Sequence, residues 1–154
     1  SVIHEDNAHG ISAVVAQQFA VAQDILAAGL TPIVEPEVNV QSETKQACED
    51  KLLESILAEL DQLPAGKEVM LKLTLPETAG LYSPLVKHDR VQRVVALSGG
   101  YSLEESTRRL AANKGVIASF SRALTIGLSA RQLEEDFTKA LDSNIASIHA
   151  ASLN

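Results

Sequence analysis

The sequence predicts an α/β fold in which a parallel sheet is covered by helices on both faces. Stretches with helical spacing alternate with short runs that are apolar along their whole length, giving the order α-β-α-β-α-β-α-β-α. Strands of that kind are buried on two sides, and alternation with helices is the pattern of parallel βαβ units. Glycine, proline or a helix-capping residue punctuates nearly every boundary. Two architectures fit: an open doubly wound sheet, or a (β/α)₈ barrel of which four βα units are half. The 154 residues read as one domain, with no GxGxxG or P-loop pattern, tandem repeat or low-complexity segment.

The elements follow in order. From Ile11 to Ala28, apolar residues at 11, 14, 15, 19, 22, 25 and 26 share one helical face, and Gly29 stops the helix. Thr31–Val34 is a short buried strand bounded by prolines and glutamates. Ser42–Leu63 is helical, with Cys48, Leu52, Ile56 and Leu60 at steps of four, and Pro64-Ala65-Gly66 breaks it. Val69–Leu75 (VMLKLTL) is a strongly apolar strand holding a single lysine. Ser83-Pro84 caps a short helix to about Lys87. Arg93–Leu97 is the third strand. Ser102 and Glu105 form a capping box for a helix ending near Asn113, and Gly115 turns the chain into a fourth strand, Val116–Phe120. Ser129 and Gln132 make a second capping box, opening a last helix with Leu133, Phe137, Leu141, Ile145 and Ile148 on one face.

Composition narrows the function classes. Hydrophobic residues make up 45% of the chain, enough for a core, and with aromatics at 3% that core is aliphatic. A net charge of −7 repels a polyanion, so no nucleic-acid partner is expected. No run of about 18 apolar residues is present, so no membrane partner or transmembrane helix is expected. The polar, acidic stretch Ser1–Gly10 is unlike a signal peptide, and the absence of an initiator Met suggests a start inside a longer gene product. The lone Cys48 allows no internal disulfide, which suits a reducing, cytoplasmic setting; it reads as a small buried hydrophobe.

The chemistry-bearing residues cluster at strand ends. Alternation puts Val69, Leu71, Leu73 and Leu75 on one side of their strand and Met70, Lys72 and Thr74 on the other. The aliphatic side faces the helices, so Lys72 points inward. Burial there disfavours its ammonium and supplies the neutral amine that imine formation needs, against the plainer reading of a structurally paired lysine. Glu35 and Glu37 flank Pro36 and share a face in extended chain, a possible acid/base pair or simply a solvated turn. Ser98-Gly99-Gly100 can present backbone N–H groups to a ligand, and Arg122, within Ser119-Phe120-Ser121-Arg122, suits a phosphate; ordinary turns and a surface charge are the alternatives. The four histidines lack zinc spacing and read as solvated, so no metal site is predicted.

Four motifs stand in fixed order: PIVEPEV (32–38), MLKLTLP (70–76), VVALSGGY (94–101) and IASFSRAL (117–124). Together they resemble the class I fructose-bisphosphate aldolases, most closely the bacterial branch, and the likeness spans nearly the whole chain. The resemblance implies a TIM barrel of which this chain is the C-terminal half, with about the last four βα units. It implies that Lys72 forms the Schiff base, that Glu35 transfers protons with Glu37 in support, and that Ser98, Gly99, Gly100 and Arg122 hold substrate phosphate, with Ser119 and Ser121 shaping the pocket. The substrate implied is a sugar phosphate, fructose 1,6-bisphosphate, cleaved without metal or cofactor. Animal-type members carry glycine at the position of Ser121. The family's catalytic aspartate and two further lysines lie on earlier strands, so the N-terminal half of the same barrel is the implied partner. Competing readings are another lysine-dependent barrel, such as a transaldolase or deoxyribose-phosphate aldolase, and a non-catalytic half-barrel serving as a binding or assembly module.

Overall fold

A computed structural model describes all residues from Ser1 to Asn154. The elements are β1 (Val2–Ile3), α1 (Ala8–Ala27), β2 (Ile33–Val34), β3 (Glu37–Val38), α2 (Lys45–Asp61), β4 (Val69–Thr74), α3 (Ser83–Val86), β5 (Val91–Leu97), α4 (Leu103–Ala111), β6 (Val116–Ala118) and α5 (Glu134–Ser152). Every strand pairing is parallel. β2, β4, β5 and β6 form one ladder in that order, and β1 pairs separately with β3. Glu35-Pro36 separates β2 from β3, so the second predicted strand is split and changes neighbours at that point, from β4 to β1. Thr74 bridges the gap: its hydroxyl accepts from the Val38 N–H and donates to the Val38 carbonyl, both at 2.9 Å. Strands follow one another across the sheet in chain order, without the reversal that defines a doubly wound sheet. The sheet is not closed, and β6 has a neighbour on one side only.

The core lies between the sheet and its helices. Val69, Leu71, Leu73 and Leu75 are all fully or almost fully buried, as the alternation predicts, and pack with Leu52, Ile56 and Leu60 of α2 in one aliphatic cluster. α1 buries Ile11, Val15, Phe19, Ala22 and Leu26, a stripe at helical spacing, and Asn7 caps it by accepting from the Gly10 N–H at 2.9 Å. By length and hydropathy α1 could cross a membrane, contrary to the composition-based expectation. It packs here along one face, through that stripe and its contacts with α2, with 28% of the stretch buried. Cys48 is buried as predicted.

Several boundaries differ from the sequence pattern. The helix predicted from Ser42 starts at Lys45, because Asn39, Ser42 and Thr44 close local turns through their side chains and backbone. The fourth strand ends at Ala118 instead of Phe120. The Ser129–Gln132 box forms one of its bonds, Ser129 N–H to Gln132 Oε1 at 2.7 Å, but the helix begins only at Glu134. The Ser102 cap accepts from the Glu105 N–H at 3.1 Å, yet the Glu105 carboxylate turns to Arg108 and Arg109 instead of closing the box. The largest difference is α5. The stripe expected to be buried is open, with Leu133 74%, Phe137 37% and Ile145 47% exposed. Asn144 anchors the helix instead, donating to the carbonyls of Leu124 and Ile126, both at 2.9 Å. His88 also departs from the solvated reading: it accepts from the Arg90 N–H at 3.1 Å and lies 3.4 Å from Asp61.

Candidate active site

The predicted residues gather at the C-terminal ends of β2 to β6. Lys72, on the inward side of β4 opposite Val95 of β5, extends its Nζ to 2.8 Å from Glu35 Oε1. The Lys72 side chain is 26% exposed and that of Glu35 43%, so the pair is partly solvated and ion-paired instead of dry. Lys72 also borders an open cavity of about 600 Å³ lined by Ile117, Ser119 and Ser121, and by Ile145 and Ile148 of α5. Glu37, two residues from Glu35, reaches towards Arg122 instead of Lys72, with Glu37 Oε1 3.9 Å from Arg122 Nη2.

The second cluster is built on backbone. Ser98 is buried, Gly99 and Gly100 have φ of +61° and +106°, and the Tyr101 N–H closes the turn on the Ser98 carbonyl at 2.9 Å. Only glycine adopts such angles without strain. A Cβ on Gly99 would stand 2.5 Å from Val40 Cγ1, and one on Gly100 would stand 3.5 Å from Arg122 Nη1. Arg122 therefore lies beside the glycine turn and is 68% exposed, with Glu37 as its acidic neighbour. Ser119 donates its N–H to the Ala96 carbonyl at 2.8 Å, which carries the β5–β6 register one residue past the strand. An amine–carboxylate pair and an arginine beside a glycine turn thus stand at neighbouring strand ends, joined through Glu35-Pro36-Glu37. Such a layout can add an amine to a carbonyl while holding a phosphate.

Sequence reasoning missed a polar network behind the lysine strand. Lys45 is buried, pairs with the fully buried Glu49, and donates to the Leu75 carbonyl at 2.9 Å. Glu49 in turn accepts from the Glu77 N–H at 3.0 Å. Burial raises the Glu49 carboxyl above its ordinary value, against the opposing pull of that N–H and Lys45. Glu77 meets Lys45 at 3.3 Å and Arg109 at 3.2 Å; burial alone would raise its carboxyl, but the two cations hold it below the ordinary range. Arg109 stacks over the Tyr101 ring at 4.5 Å, and the Tyr101 hydroxyl donates to Glu77 at 3.1 Å. Burial pushes that phenol up to about 12. The network ties the end of β4 to the glycine turn after β5. Its signal was present in the sequence: Lys45 and Glu49 lie three residues before Cys48 and Leu52, on the stripe that the period-four pattern buries.

The sequence around this site is close to that of a curated protein. The chain is 54% identical over 153 residues to the protein named fructose-bisphosphate aldolase class 1 of Synechocystis sp.. Over its whole length the chain is similar to the C-terminal half of that aldolase. The match covers 99% of this chain and 51% of the aldolase, so the chain spans about half the length of the curated relative it matches. No protein-family profile matches the chain. At this identity the likeness to the aldolase extends through the connecting helices as well as the strand ends.

Proposed function

We propose that this chain carries the Schiff-base half of a class I fructose-bisphosphate aldolase, a lyase acting on fructose 1,6-bisphosphate. The observation that carries the reading is the Lys72–Glu35 pair at 2.8 Å on adjacent strand ends, with Arg122 at a glycine turn beside it. The aldolase relative supports the substrate class.

The residues suit the following steps. Lys72 passes a proton to Glu35 and adds through its neutral Nζ to the C2 ketone of the sugar. Glu35 returns a proton to the carbinolamine hydroxyl, water leaves, and a cationic imine forms. The iminium accepts the electron pair of the C3–C4 bond as the Glu35 carboxylate takes the C4 hydroxyl proton, releasing glyceraldehyde 3-phosphate and leaving an enamine. Protonation at C3 and hydrolysis of the imine give dihydroxyacetone phosphate and free Lys72. The iminium fills the electron-sink role, so this chemistry calls for no metal or organic cofactor. Gly99, Gly100 and Arg122, with Ser98, Ser119 and Ser121 beside them, hold the substrate phosphate through N–H groups and a guanidinium. Glu37 holds Arg122 between the acid and the phosphate site.

The N-terminal half of a barrel is the complement this surface fits. β6 keeps an unpaired edge, and the cavity beside Lys72 is open and bordered by Ile145, which is exposed. Strands and helices from a complementary half would cover that edge and the α5 stripe, close the TIM barrel, and dry the lysine. A cytoplasmic, reducing setting suits the single buried thiol. The test is a coupled cleavage assay with fructose 1,6-bisphosphate, with and without an aldolase N-terminal half. Activity is expected in the complemented sample and a loss of several orders of magnitude in Lys72→Met, the scale of removing a covalent nucleophile. Undiminished cleavage in Lys72→Met, or none in the complemented chain, overturns the reading.

A further inference from the structure

Glu35 sits where the strand ladder fails. β2 pairs with β4 through Ile33 and Val34, and β3 pairs with β1 from Glu37 onward. Between them, Pro36 has no N–H, and no backbone group partners the N–H or carbonyl of Glu35. Both are taken by one side chain from α1. Gln18 Oε1 accepts from the Glu35 N–H at 2.9 Å, and Gln18 Nε2 donates to the Glu35 carbonyl at 3.3 Å. A carboxamide has the same donor and acceptor pair as a peptide unit, so Gln18 acts as a one-residue neighbouring strand.

This matters because backbone orientation at Glu35 decides where its carboxylate goes. The Glu35 side chain is 43% exposed and its only ion-pair partner is Lys72. Little packing fixes its rotamer. The two bonds from Gln18 fix the peptide units on either side of the Glu35 Cα, which aims the side chain across to β4. Gln18 does not itself pair with Lys72.

We infer that Gln18 is a positioning residue, whose carboxamide clamps the Glu35 backbone and so sets the Lys72–Glu35 proton-transfer pair. The inference rests on the Schiff-base reading for its catalytic consequence, but the positioning can be read without activity. Zero-length carbodiimide coupling joins a carboxylate and an amine already in contact, so treatment of the chain followed by peptide mapping reports the Glu35–Lys72 pair directly. The Asp6–Lys51 pair in the same chain serves as an internal control. Gln18→Met keeps length and helix propensity while removing both bonds. The expected result is a fall of about tenfold in the Glu35–Lys72 cross-link, equivalent to ~1.4 kcal/mol, with the Asp6–Lys51 cross-link unchanged. An unchanged Glu35–Lys72 yield, or an equal fall in both cross-links, overturns the inference.

The catalytic consequence is read by borohydride trapping of dihydroxyacetone phosphate in the complemented protein. Gln18→Met is expected to slow imine formation without raising the half-saturating ligand concentration, and to add nothing to the slowing already caused by Glu35→Gln. Additive effects of the two substitutions would assign Gln18 a general structural role instead. Wild-type protein that shows the cross-link but traps no ligand would contradict the Schiff-base reading while leaving the clamp intact.

Discussion

Replacing Lys45 with Met removes the cation from the buried network behind β4. Glu49 would then keep one partner, the Glu77 N–H at 3.0 Å, and the Leu75 carbonyl would lose the donor now at 2.9 Å. Stranding one member of a buried ion pair destabilises a protein by ~3–5 kcal/mol, a large share of the ~5–15 kcal/mol typical of a domain. The penalty depends on pH, because Glu49 can escape it by taking a proton. Burial already raises the Glu49 carboxyl, and losing Lys45 removes an opposing influence. The folded variant then binds a proton that the unfolded chain releases, so its stability rises as pH falls through the folded value. The slope is about 1.4 kcal/mol per pH unit while one proton is involved. Urea unfolding followed by circular dichroism in steps from pH 8 down to pH 5 measures both effects. A second substitution, Glu49→Gln, keeps the acceptor for the Glu77 N–H and should restore at least half of the loss at pH 8. A loss under about 1 kcal/mol at pH 8, or a loss that stays constant over the whole pH series, refutes the assignment of Glu49 as a buried charge held by Lys45.

Other outcomes follow from single contacts. Leu71→Ala, at a fully buried position, should lower unfolding free energy by ~2–5 kcal/mol in urea titrations. Gly99→Ala meets both a φ of +61° and Val40 Cγ1 at 2.5 Å. Its backbone strain alone is about 1–2 kcal/mol, and inorganic phosphate should bind more weakly by calorimetry, whereas Gly29→Ala, with open space around it, should leave phosphate binding unchanged. Arg108 and Arg109 hold the Glu105 carboxyl down to about 2 from an ordinary 4.5. Its contribution is present above pH 4.5 and is lost as pH falls towards 2, so Glu105→Gln should flatten the acid limb of the stability curve.

Much of the fold was legible because the strands are apolar throughout and their breaks are marked by glycine and proline. Strand Val69–Thr74 was visible to within a residue, and its alternation correctly sent Leu71 and Leu73 to the helices. The burial pattern failed on α5, where Leu133, Phe137 and Ile145 form a regular stripe that this chain does not cover. Periodicity reports which face is apolar and not whether a partner lies against it. The lysine, the glutamates and the arginine could be singled out by residue type and position, but their pairing could not. Glu37 meets Arg122 because the strand switches neighbours at Pro36, a feature with no periodic signal. Gln18 was invisible for a similar reason: a glutamine on the flank of a helix stripe looks like any solvated residue until the unpaired backbone across from it is known.

The central claim, that Lys72 forms an imine with a ketose phosphate, is tested most directly by borohydride reduction in the presence of dihydroxyacetone phosphate, followed by peptide mapping of the complemented protein. A single adduct on the peptide containing Lys72, lost in Lys72→Met, is the result predicted. Label on another lysine, or no label although the complementary half is present and folded, would contradict it.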